Sequence, residues 1–218
     1  MSEPREAAQH KTPQAQPTAA ADGAPDEIGA QRIAPQGLLE KRRTAQTAYV
    51  FDLRTPEAFD ESHLPGAFNL PAEHVEANLH RLPFQGDLLF YDGGDGAARR
   101  VAALLRENAF TDFFYMEEGY ATLHQALLDS PQDVKYGALT PAERATHIER
   151  VLDEKVREYL ASDGGGLEVV AIEDDSVTVS YQGACGSCGS STAGTLRFIQ
   201  MALTNGLNHE IEVLPVDA

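Results

Sequence analysis

Two thiols, Cys185 and Cys188, stand three positions apart in the run Gly183, Ala184, Cys185, Gly186, Ser187, Cys188, Gly189. The 218 residues contain no third cysteine. A single chain therefore cannot build a tetrathiolate metal site. The pair could act as a redox dithiol, bind a metal with help from other side chains, or supply half of a centre shared with a second copy. Spacing alone leaves these uses open, together with a pair of no special role.

The surroundings favour thiolate chemistry. The pair falls between an apolar strand pattern and an amphipathic helix pattern. A helix start carries partial positive charge and lowers the pKa of nearby thiols. Ser190, Ser191 and Thr192 are candidate caps for that helix. Gly183, Gly186 and Gly189 allow close backbone approach, so amide N–H groups can turn toward bound sulfur. A zinc reading would need co-ligands. The candidates are His147 and His209, the only histidines of residues 140–218.

Composition bounds the partners. The formal net charge is -17 and 42% of residues are hydrophobic. So acidic a chain repels phosphate backbones and anionic surfaces, so neither nucleic acid nor a membrane is expected as a partner. No apolar run reaches the ~20 residues of a membrane span. The N-terminus carries Glu3, Glu6 and Asp22 and lacks the apolar stretch of a signal peptide, which places the expected location in the cytoplasm. In a reducing compartment a close cysteine pair points to metal or redox use rather than to a structural disulfide.

Residues 1–35 are rich in Ala, Gln, Pro and Thr and are read as a disordered tail. Residues 36–130 alternate strand and helix patterns. Tyr49 to Leu53, Leu88 to Tyr91 and Phe113 to Met116 read as strands. Helices follow Thr55-Pro56, the glycine-rich Asp92 to Gly96, and Gly119. That alternation predicts a mainly parallel sheet covered on both faces. Residues 131–139 read as a linker, and 140–218 as a smaller α+β domain in the order helix, strand, strand, helix, strand. Its first helix opens on a capping box, Thr140 to Glu143, and buries Ile148, Val151, Leu152, Val156, Tyr159 and Leu160. Asp174-Asp175 joins a hairpin, Asn205-Gly206 caps the last helix, and Glu210 to Leu214 closes the domain as a strand.

Two family resemblances follow from these residues. Asp163-Gly164-Gly165-Gly166-Leu167-Glu168, then Val177 to Cys188, then Ser190 to Leu196, resemble the NifU C-terminal-type (Nfu) iron–sulfur carrier domain. Gly189 stands where many members have Pro. The resemblance implies that Cys185 and Cys188 are the cofactor and metal ligands. It also implies a [4Fe-4S] cluster held between the two subunits of a homodimer, supplied by the Fe–S assembly machinery and passed to apo-proteins. Four cysteine ligands per cluster agree with two chains of two. The alternative is a thiol–disulfide oxidoreductase using the same pair.

Val50 to Phe59 and His63 to Pro71 resemble the opening of a rhodanese domain. Members of that family place a persulfide-carrying Cys after the strand that corresponds to Leu88 to Tyr91. Asp92 occupies that place, and Ala97 and Ala98 replace the usual Arg and Ser of the loop. A carboxylate cannot carry sulfane sulfur, so the domain reads as degenerate, with no catalytic residue. Asp52, Arg54 and His63 are then structural. The Asp92 to Gly96 loop is a candidate surface for recruiting a partner. The expected architecture is a rhodanese-like α/β domain with a parallel sheet, followed by a small α+β NifU C-terminal-like domain.

Overall fold

The computed structural model describes residues 31–162, 164–183 and 189–216. The tail reading at 1–30 lies outside these residues. Its last positions are corrected. β1 (Gln31–Arg32) pairs with β5 (Phe113–Tyr115), and Ile33 is buried. Ile33 is the one large apolar side chain able to anchor that end, and compositional reading of the tail passed over it.

The first sheet is parallel throughout, in the order β1, β5, β4 (Asp87–Tyr91), β2 (Ala48–Asp52), β3 (Phe68–Asn69). Side chains alternate across a strand, so each buried strand feeds two cores. Leu88 and Phe90 join Phe51 and Phe113 on one face, under Val101 and Leu105. Leu89 and Tyr91 join Val50 and Phe114 on the other, under Leu38, Leu39 and Leu123. Helices α1 (Pro35–Thr44) and α5 (Tyr120–Asp129) cover this second face, and α4 (Ala97–Glu107) covers the first. Two short helices, α2 (Pro56–Glu61) and α3 (Val75–Asn78), lie in the connections. The Thr55 side chain caps α2 by accepting from the Ala58 N–H.

The connection expected at 131–139 is packed rather than loose. Tyr136 is only 2% exposed and belongs to the core of the second unit. Helix α6 (Pro141–Leu152) begins with both bonds of the capping box at Thr140 and Glu143. A π-helical turn follows (Asp153–Arg157), then α7 (Glu158–Ser162). The turn changes which residues are buried. A regular helix would stack Tyr159 on Lys155 and Leu152. The extra residue in the wider turn hands that place to Leu160, and Tyr159 is 53% exposed against Phe198.

Strands β6 (Gly165–Ile172) and β7 (Ser176–Gly183) form the expected antiparallel hairpin. β8 (Glu212–Pro215) pairs with β7 in parallel. Parallel neighbours need a crossover, and α8 (Gly189–Leu207) supplies it. The expected cap at Asn205-Gly206 is corrected. The helix runs through both residues, and Asn208 takes the left-handed conformation at φ 58°. Gly206 stands in the last turn of the helix, where a Cβ would lie 2.7 Å from Val151 of α6.

Candidate functional site

The cysteine loop joins the end of β7 at Gly183 to the start of α8 at Gly189. Cys185 and Cys188 themselves lie outside the described residues, as do the expected amide contacts of the loop glycines. The flanking elements are informative. The loop leaves the carboxyl end of a central strand and enters a 19-residue helix directly, the place where α/β crossovers commonly hold ligands. The first turn of α8 already contains Ser190 and Ser191, so these residues follow the helix start instead of preceding it. The start of α8, next along the chain, carries the partial positive charge that favours a nearby anion.

Of the two histidines of this unit, His209 is engaged by other side chains. His209 meets the Asp175 carboxylate at 2.7 Å and stacks on Tyr136. His147 sits on α6. Among the described residues, no group of three metal-ligating side chains forms. No described helix is long and apolar enough to cross a membrane.

In the first sheet, Asp92 follows β4 and is 1% exposed. Its carboxylate turns back into its own loop, accepting from the Gly94 N–H and the Ala98 N–H, each at 2.8 Å. Burial pushes its pKa up, and those two amides partly offset the rise. The amides at the start of α4 are thus held by a side chain of the same loop. Arg54 is equally committed. It pairs with Asp52 through Nε at 2.9 Å, donates to the Ser62 carbonyl at 2.7 Å, and lies 3.9 Å over the Tyr120 ring. His63 Nδ1 is 2.9 Å from the Phe59 carbonyl oxygen, and the two rings stack. A cleft of about 690 Å³ beside this loop is lined by Arg54, Glu73, Glu76, Asp95 and Arg100.

Sequence reading missed a second site of interest, the seam between the two units. Arg42 of α1 is 1% exposed and reaches the last turns of α8. A groove of about 680 Å³ continues from this seam along α8, between Phe68 of β3 and the stripe Arg197, Phe198 and Met201. A polar residue on a short amphipathic helix carries no sequence signal of burial. Only the fold brings its partners to it.

The comparisons with known proteins divide the chain in the same way. A rhodanese-like domain matches residues 35–126, and a NifU-like domain matches residues 148–214. The nitrogen fixation protein NifU of Anabaena sp. (strain L31) is 43% identical over 76 residues, which cover 35% of this chain and 68% of that protein. The longer NifU of Nostoc sp. is also 43% identical over 75 residues, but these span 34% of this chain and 25% of its own length. The Fe/S biogenesis protein NfuA of Idiomarina loihiensis is 28% identical over 147 residues, 67% of each chain. A solved rhodanese-like domain protein of Staphylococcus aureus gives a TM-score of 0.39 at 21% identity, over 42% of this chain and 89% of that one. The chain belongs to the NifU family, with a rhodanese-like domain ahead of its NifU-like domain.

Proposed function

We propose that the protein carries an iron–sulfur cluster as cargo and passes it to apo-proteins. Cys185 and Cys188 of two copies would supply the four thiolates of one bridging [4Fe-4S] cluster. The observation that carries this reading is the setting of the only two cysteines, on a short loop between a central strand and the positive end of a long helix. Family membership supports it, and the name of the NfuA relative points the same way. The positive end of a helix favours thiolate over thiol, which keeps the ligands ready. Donors would be the Fe–S assembly machinery and acceptors the apo-proteins it serves. Asp92 takes the place of the rhodanese nucleophile, so the first domain contributes no sulfur transfer of its own.

Anaerobic reconstitution with iron and sulfide tests the reading. The expected product is a coloured dimer with thiolate-to-iron charge-transfer absorbance and about four irons per two chains. Cys185→Ser and Cys188→Ser should each stay colourless and iron-free. A colourless monomer from the unaltered protein, with a reversible intramolecular disulfide and no metal as purified, overturns the carrier reading in favour of a thiol–disulfide oxidoreductase.

A further inference from the structure

We propose that the rhodanese-like domain is a fixed brace for the helix that leaves the cysteine loop, and that Arg42 is the positioning residue of that brace. The Arg42 guanidinium crosses the seam and makes four hydrogen bonds, all to neutral oxygens. Nε donates to Asn205 Oδ1 at 3.2 Å and one terminal nitrogen donates to Asn208 Oδ1. The other terminal nitrogen is shared by the carbonyls of Pro65 and Thr204. Thr204 and Asn205 belong to the last turns of α8, where a helix end presents unsatisfied carbonyls and negative partial charge. The cation that meets that end comes from the other domain.

Asn205 is used at both ends. Its amide nitrogen donates to the Ala48 carbonyl at 3.0 Å, while its oxygen accepts from Arg42. Geometry of this kind specifies one orientation. A buried cation with fixed oxygen partners loses much of its compensation when the surfaces slide. Three further hydrogen bonds hold the rotation about Arg42. Gln46 donates to the Lys155 carbonyl, and Lys155 Nζ donates to the Ala45 carbonyl at 2.8 Å. Gly66 N–H donates to Glu210, just ahead of β8.

The turn from His63 to Phe68 thereby gains a role. In sequence it is a rhodanese signature with no chemistry left to serve. In the structure it is the face that receives α8. Gly66 has φ +77°, and a Cβ there would lie 2.9 Å from Thr204 Cγ2 and 3.3 Å from Asn205 Oδ1. The backbone approaches the helix so closely that only glycine fits. The first domain is then more than a recruiter on a tether. It fixes one end of the helix whose other end carries the cysteine loop.

The inference concerns docking and stands apart from the cargo carried. The test uses the full chain without iron, in reductant. Residual dipolar couplings should fit one alignment for both sheets. In Arg42→Met they should need two, and amide exchange at Ala48, Thr204 and Asn205 should quicken by ~tenfold or more. Asn208→Gly guards against misfolding of that variant. It keeps the left-handed backbone, removes one Arg42 acceptor, and should give a smaller acceleration at the same amides. Two independent alignments in the unaltered protein, or exchange unchanged in both variants, overturns the brace. Failure of cluster reconstitution leaves it untouched.

Discussion

Asp92 shows how one buried carboxylate can hold its own loop together. A cysteine there would leave the amides of Gly94 and Ala98 free to face a bound anion. The aspartate fills them itself. Substitution should therefore be costly to stability. Asp92→Asn retains one acceptor oxygen but turns an NH2 toward the second amide. A buried donor left without an acceptor costs about 1–3 kcal/mol. Urea denaturation should show a loss of that order, and an unchanged midpoint would mean that the amides find other partners. The identity of Asp92 and its departure from the rhodanese pattern were legible in the sequence. Its inward turn was not, because exposed and self-capping carboxylates are written identically.

At the scale of elements, the capping box at Thr140, the hairpin at Asp174-Asp175 and the strand runs were legible because each rests on local chemistry. The π turn at Asp153–Arg157 was not, since its cause is tertiary. It brings Lys155 under the seam, where the ammonium donates to Ala45 and its own carbonyl accepts from Gln46. Burial lowers the Lys155 pKa to about 8. Glu154 opposes the shift, and Arg42, Arg43 and Arg150 add to it. The folded pKa lies below the unfolded one, so between about pH 8 and the ordinary lysine range the unfolded chain binds more protons. Stability from this group is constant below pH 8 and rises as pH climbs through that window. Lys155→Met should remove the rise. A urea midpoint that climbs equally in both proteins from pH 8 to about 10 would assign the effect to other groups.

The whole molecule poses an electrostatic problem to the shared centre proposed for Cys185 and Cys188. The sequence disclosed its terms completely, since charge needs no fold to be counted. Each copy carries a formal charge of -17, so two copies repel at every separation beyond contact. Dimerisation must be driven by ligation and by short-range packing near the loop, against this long-range field. Salt separates the two contributions. The screening length falls from about 10 Å at 0.1 M to about 3 Å at 1 M. Repulsion between the acidic bodies fades over that range, whereas thiolate–iron bonds and apolar contacts do not. The dimer holding a cluster should therefore tighten as salt rises, with slower subunit exchange and a lower dissociation constant in sedimentation measurements. Paired opposite charges at the interface would give the reverse trend. A dimer that loosens steadily with salt would mean that specific ion pairs hold the copies together, and the contact would have to be sought at the rare basic positions, Arg197 beside the groove along α8 first among them.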